Sequence, residues 1–433
     1  MSQPRAAGLL IAAPNSGAGK TTLTLALLRA LKTAGVNVAS AKSGPDYIDP
    51  RFHEAASGRT CVNLDAWAMS ADHIRGLASR FGEDAELLLV EGAMGLFDGA
   101  SDGSGSAADL AAILNIPVVL VVDCAKQAQS VAALVRGFRD HRADISISGL
   151  ILNRIGSPRH EAMLRSALRP LGIPVLGAVP RDSALALPER HLGLVQADEH
   201  AELGAFLDAA ATICAQHIDL DGLRALSTPV AAAPGASLLP PPGQRIAIAS
   251  DIAFAFCYPH LLGSWRAAGA ELTVFSPLAD EAPDASADAV YLPGGYPELH
   301  AGRLAAATRF LDGLRAAASR GALVYGECGG YMTLGQGLRD ADGTRHAMAG
   351  LLPLETSFAT RKLQLGYRVL TPTSDTTFAG PLSAHEFHYA STTREGAAER
   401  LFSAVDATGT QLADMGLRVG NVMGSFAHII AAR

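Results

Sequence analysis

The chain has 433 residues, 49% hydrophobic and 18% charged, a composition that suits two or three domains with well-buried cores. Its formal net charge is −7 with Lys and Arg spread along the chain, which argues against a nucleic-acid partner or an acidic membrane surface. No segment reaches the roughly 18 consecutive apolar residues of a membrane span, and five scattered cysteines (Cys61, Cys124, Cys214, Cys257, Cys328), never spaced CxxC, fit neither a disulfide framework nor a zinc knuckle and point to a reduced, cytoplasmic protein.

The opening run MSQPRAAGLLIAAP leads directly into a glycine loop, so it reads as a first strand, Gly8–Ala13, rather than a signal peptide. Further strands are expected at Val36–Ala41, Leu87–Glu91, Pro117–Asp123, Ser148–Asn153 and Val175–Val179, then at Ile246–Ser250, Leu272–Phe275, Ala289–Leu292 and Leu323–Tyr325. Continuous apolar runs separated by helical patterns imply parallel sheets covered on both faces. The first helix is marked by Leu23, Ala26, Leu27, Ala30 and Leu31, and Gly35 closes it. Residues 227–244, STPVAAAPGASLLPPPGQ, carry no charge and no periodicity and read as a linker. The expectation is therefore an α/β protein of two doubly wound domains, 1–226 and 245–433, without an internal repeat, whose last roughly 90 residues are richer in irregular strands.

Chemistry concentrates at the ends of these strands. PNSGAGKTT, residues 14–22, follows a strand and opens a helix, and it lacks only the first glycine of GxxxxGK(S/T), where Pro14 stands. Gly17 and Gly19 let the backbone of Asn15–Thr22, including Ala18, curl its N–H groups around phosphate, with Lys20 reaching the outer phosphates and Thr21 offering a hydroxyl to Mg²⁺. Thr22 completes the ATP-binding set. Glu91 ends an apolar strand, where an acidic residue can hold Mg²⁺ beside phosphates. KSGPDYIDPRFH places Lys42, Asp46, Tyr47 and Asp49 in a loop at the same edge, as substrate or metal partners or equally as a solvated turn. Asn153 ends another strand, and its amide suits an adenine edge.

In the second half, ALVYGECGGYMTLG is a strand, a tight Gly-x-Cys-Gly-Gly turn and a helix, the geometry of a nucleophile elbow. A helix N-terminus should lower the Cys328 pKa toward the thiolate. His428, in GNVMGSFAHII, is a candidate base, and Gly294 and Gly295 of LPGGYPE suit an oxyanion hole. HEFHY, with two His three apart, is too sparse for a metal site.

Together, PNSGAGKTT, KSGPDYIDPRFH, VEGAMGLFDG, the Cys328 elbow and GSFAHI resemble the cobyrinic/hydrogenobyrinic acid a,c-diamide synthase family across nearly the whole chain. The resemblance implies a dethiobiotin-synthetase-like domain binding ATP and a corrinoid, followed by a flavodoxin-like class I glutamine amidotransferase domain. Asp46, Asp49 and Glu91 then match acidic positions at the phosphoryl-transfer and substrate site, Cys328 the glutaminase nucleophile and His428 its base. The implied partners are small molecules (corrinoid, ATP and glutamine), with a homodimer kept open. One departure stands out: triad amidotransferases carry Glu two residues after the histidine, and Ile430 occupies that position here. Rival readings are a cobyric acid synthase-like or other amidoligase acting on a different polycarboxylate, and, from another class, a partition-type ATPase switch. The latter usually has an early loop lysine, which Pro14, Asn15 and Ser16 do not supply, and it has no use for a cysteine elbow.

Overall fold

Apolar runs flanked by glycine turns form the central strands in both halves of the chain, because strands covered on two faces need no polar alternation. A computed structural model describes residues 6–186, 202–231, 239–374 and 376–433, with Glu189–Arg190, Gly193–Leu194 and Ala197 between the first two stretches. The chain divides into two units, Met1–Ala236 and Ser237–Arg433.

The first unit is built on strands β1 (Ala7–Ala12), β2 (Val38–Ser43), β3 (Val62–Leu64), β4 (Leu87–Glu91), β5 (Val118–Asp123), β6 (Ile147–Ile155) and β7 (Val175–Pro180), in the sheet order β3-β2-β4-β1-β5-β6-β7. All these pairings are parallel. Parallel pairing aligns the carboxyl ends of the strands along one edge, where ligands of such sheets bind. Helix α1 (Lys20–Thr33) buries Leu23, Leu27 and Leu31 and packs on the helix Leu203–His217. Each such leucine contributes about 2 kcal/mol relative to exposure. Gly35, at φ 83°, takes the left-handed conformation just past the helix.

The expected linker differs at its start. Thr228–Pro229 pairs antiparallel with β1, matching Ala7 with Pro229 and Gly8 with Thr228, and Val230 is buried. The absence of charge reflects, in part, a short segment of the first sheet set against its central strand β1. A pairing of two residues is too short to leave a periodic signal. Residues 232–238 of that stretch lie outside the described residues.

The second unit begins with β8 (Arg245–Ala249), β9 (Glu271–Phe275), β10 (Ala289–Leu292) and β11 (Leu323–Glu327). It continues through β12 (Gln364–Pro372), β13 (Leu382–His388), β14 (Glu399–Asp406), β15 (Met415–Val419), β16 (Val422–Ser425) and β17 (Ala427–Ala432). The order is β9-β8-β10-β11-β16-β15-β14-β12-β13-β17. The first five strands are parallel and the rest antiparallel. Only Phe426 separates β16 from β17, yet they stand five places apart in this order. A flat sheet would set them about 24 Å apart, far beyond the reach of one residue. The sheet therefore curls back on itself. A smaller sheet of Gly337–Arg339, Arg345–Ala347, Leu354–Ser357 and Ser391–Glu395 completes the unit. The α/β class is as expected from the sequence, with a parallel sheet in the first unit and a curled sheet that opens with five parallel strands in the second.

Candidate active sites

In the first unit the phosphate loop joins β1 to α1. Gly17 and Gly19 have φ of 81° and 87°, which only glycine adopts without strain. At Gly19 a β-carbon would also lie 2.3 Å from Asn153 Nδ2. Asn153 is buried at the end of β6, and its Nδ2 donates to the Ala18 carbonyl at 2.8 Å while its Oδ1 accepts from the Arg154 N–H. Its amide braces the loop through one of its two N–H groups.

Beside the loop lies a buried ionic cluster. Lys42 and Glu91 are register partners on adjacent parallel strands, and Lys42 Nζ donates to Glu91 Oε1 at 2.8 Å. Helix α2 (Asp49–Ser57) starts where Asp46 Oδ1 accepts the N–H groups of Ile48 and Asp49, so Asp46 serves as a turn-forming cap. Asp49 and His53, four apart on α2, face the same way. Asp49 Oδ2 accepts from Lys42 Nζ, and His53 Nε2 meets Glu91 Oε2 at 2.6 Å. Thr21 Oγ1 donates to Glu91 Oε1 at 2.6 Å, and Lys20 Nζ stands 3.9 Å from the same oxygen. Glu91 and His53 have no exposed surface.

The electrostatics follow from this crowding. Burial would raise the Glu91 pKa, but Lys42, His53 and Lys20 together hold it well below the usual range. Burial would lower the Lys42 pKa, and Asp49 and Glu91 overcome this to hold it raised. His53 is likewise penalised by burial, yet the neighbouring Cys61 and Glu91 lift it to about 10, so its ring is charged at neutral pH. Burial and the nearby Asp46 carboxylate push Asp49 up to about 6. Lys20 is lowered by burial, with Glu91 opposing. Sequence reasoning missed His53, whose only signal was its spacing from Asp49.

Along the same edge a cavity of about 640 Å³ is lined by Asn15, Asp123, Lys126, Gln127, Arg154 and Arg181. Arg154 donates to Asp123 Oδ2. The two arginines and the lysine make this side of the loop cationic and suited to phosphate oxygens. Thr22 lies in the first turn of α1 and Tyr47 in the loop before α2, both partly buried.

In the second unit the elbow has the expected form. Cys328 follows β11 with φ 45° and ψ −104°, a strained conformation for a residue with a side chain, and the helix Gly329–Leu334 leaves from it. Its neighbours must be glycines. A β-carbon on Gly330 would lie 2.0 Å from the Leu292 carbonyl, and one on Gly326 would lie 2.7 Å from the Gly330 backbone. Three strand ends converge here. Leu292 of β10 aligns with Gly326 of β11, and Glu327 aligns with Ser425 of β16. The segments just beyond, Gly294–Gly295, Cys328 and His428, therefore meet. A β-carbon on Gly294 would stand 2.2 Å from His428 Cε1, 2.9 Å from its Nε2 and 3.2 Å from Cys328 Cβ.

Cys328 and His428 are both buried. Burial raises the Cys328 pKa, and Glu298, Glu386 and Glu327 add to it. Burial thus opposes the thiolate expected from the helix N-terminus. A six-residue helix does not outweigh desolvation among carboxylates. His428 is pushed down to about 3 by burial and by His385 and His388, and the Cys328 thiol lies 3.9 Å from the Phe387 carbonyl. In HEFHY, His388 is bonded to Glu386 at 2.9 Å and stacked on Phe426. Ile430 offers only its carbonyl, to His260. The carboxylate near His428 is Glu327, the residue before Cys328, with Oε2 3.9 Å from His428 Nδ1. Sequence reasoning missed it because adjacency to Cys328 gave no hint of its facing His428.

A phosphate loop backed by buried acid and base, and a Cys–His pair on a glycine elbow, define a glutamine-dependent ligase that forms amide bonds. Residues 9–195 match the CobQ/CobB/MinD/ParA nucleotide binding domain, and residues 245–433 match the CobB/CobQ-like glutamine amidotransferase domain. The first description also spans partition-type proteins; the second match and the full-length relatives separate this chain from them. It is 62% identical over 427 residues to a hydrogenobyrinate a,c-diamide synthase of Brucella abortus, covering 98% of each chain. Proteins of the same name from Rhizobium meliloti and Rhodobacter capsulatus are 58% and 54% identical, with 98% of this chain covered in both and 99% and 98% of theirs. The chain belongs to the hydrogenobyrinate a,c-diamide synthase family, amide-forming ligases of cobalamin biosynthesis.

Proposed function

We propose that this protein converts hydrogenobyrinate to its a,c-diamide, using one ATP and one glutamine for each carboxylate. The observation that carries the reading is full-length similarity to proteins of that name, with the buried ionic cluster and the Cys–His elbow both present. A carboxylate resists amidation because oxide is a poor leaving group. Attack of a substrate carboxylate oxygen on the γ-phosphorus of ATP releases ADP and leaves an acyl phosphate. Ammonia then attacks the acyl carbon and phosphate departs with its electron pair. Lys20 and the loop N–H groups stabilise charge on the transferring group, and Lys42 neutralises a carboxylate entering beside Asp49. Hydroxyl and carboxylate oxygens from Thr21, Glu91 and Asp46 suit Mg²⁺, which when bound would neutralise phosphate charge.

Ammonia comes from the second unit. Cys328 Sγ attacks the glutamine amide carbon as its proton passes to His428, with the oxyanion held by the Gly294–Gly295 backbone. His428 returns the proton to the departing nitrogen, releasing ammonia, and then draws a proton from the water that hydrolyses the thioester to glutamate. Reduced thiols fit a cytoplasmic setting: the five cysteines form no disulfide among the described residues.

The test is mass spectrometry of hydrogenobyrinate and, separately, its cobalt-containing counterpart, each with ATP and glutamine. The expected result is successive mono- and diamide from the metal-free substrate. Amidation at other carboxylates, or of neither corrinoid, would contradict the assignment.

A further inference from the structure

Amidotransferases of this kind need something to orient the histidine, and position 430, two residues after His428, holds an apolar side chain. Glu327 is 2% exposed and lies at the end of β11. It is held from three sides: Tyr291 Oη donates to Oε2 at 2.7 Å, Tyr325 Oη donates to Oε1 at 3.1 Å, and the Ile429 N–H donates to Oε1 at 3.0 Å. The last bond ties Glu327 to the residue following His428. Tyr291 and Tyr325 are register partners on β10 and β11 with rings stacked 6.0 Å apart, so the carboxylate cannot swing away without breaking a packed wall. Its Oε2 stands 3.9 Å from His428 Nδ1, a gap that catalytic bonds in ligand-free sites commonly show before substrate tightens them.

We propose that Glu327 is the positioning residue of the glutaminase site: its carboxylate orients the His428 ring through Nδ1 and offsets the positive charge the ring acquires when it takes the Cys328 proton. This assignment rests on the proposed glutaminase role of Cys328 and His428. Another carboxylate bonded to a histidine of this region, Glu386, is already engaged by Arg368 and His388. The charge is needed because the surroundings of His428 oppose an imidazolium: burial, His385 and His388 all disfavour it. A carboxylate fixed on the Nδ1 side is the arrangement that lets a buried histidine act as a base. Burial lifts Glu327 to about 7, with the Ile429 N–H and the two tyrosines opposing. The groups facing it are Tyr291, Tyr325 and His428, with Cys328 next in sequence.

The test compares full-length wild type, Glu327→Gln and Glu327→Asp for glutamate release from glutamine between pH 5.5 and 9, with Cys328→Ala as reference. Gln keeps an oxygen for the Ile429 N–H and Tyr325, sets an amide NH2 where Tyr291 donates, and removes the charge. The expected result is a fall in kcat of about 100-fold or more for Glu327→Gln with KM little changed, and partial recovery in Glu327→Asp. Wild-type kcat should decline below about pH 7 as Glu327 protonates, and Glu327→Gln should lack that decline. Thermal unfolding of each variant separates lost structure from lost charge. If Glu327→Gln keeps wild-type kcat and pH profile, or loses activity only in proportion to unfolding, the positioning role is overturned while the glutaminase reading stands. If Cys328→Ala still releases glutamate, both fall.

Discussion

Single atoms decide both sites. At Gly294 one added methyl would occupy the place of His428 Cε1, 2.2 Å away, so Gly294→Ala must push the ring off the thiol. A displacement of about 1 Å costs about 100-fold in rate, and glutamine-dependent turnover should fall by at least that much while turnover with ammonium salts persists; steady-state assays with each nitrogen source check this. A second expectation concerns charge. With the thiol raised by burial and neighbouring carboxylates, and His428 neutral, alkylation of Cys328 by iodoacetamide should keep rising with pH through 9. A plateau already reached at pH 7 would mean a preformed thiolate–imidazolium pair. The residues legible in sequence, Lys20, Gly19 and Cys328, are those whose chemistry is written in a local motif. Glu327 and His53 were not legible because their roles depend on partners 101 and 38 positions away along the chain.

Elements place these residues through register. Parallel pairing of β2 with β4 brings Lys42 to Glu91, and α2 adds Asp49 and His53 from one face. This cluster contributes to stability with a definite pH dependence. The folded His53 pKa, about 10, is above the ordinary 6.5, so its contribution is complete below about 6.5 and is lost as pH rises through 10. His53→Gln should therefore lower stability by about 3 kcal/mol near pH 6, and the difference from wild type should shrink steadily toward pH 10. Denaturant unfolding at several pH values measures it. Most parallel strands were readable as apolar runs, within a few residues of their observed ends. β3 and the Thr228–Pro229 pairing are too short for a periodic signal, and β12 is half-exposed without clear alternation. His428 looked weak in sequence although β17 is buried, because a lone histidine carries no motif: only the curl that returns β17 to the elbow gives it a partner.

At the scale of the molecule, the nucleotide binding domain match falls in the first unit and the glutamine amidotransferase domain match fills the second, and the proposed function gives ATP and the corrinoid to one and glutamine to the other. Changes at the phosphate loop should then act on product formation whatever the nitrogen source. Lys20→Ala is expected to suppress amidation by about 100-fold or more with glutamine and with ammonium alike, measured as ADP release coupled to amide formation. The measurement that bears most directly on the division of labour is amidation of hydrogenobyrinate by Cys328→Ala, supplied in parallel with glutamine or with a high concentration of ammonium chloride, with ATP present. No diamide from glutamine and near-normal diamide from ammonium are expected. Equal loss with both nitrogen sources, or undiminished use of glutamine, would contradict that division.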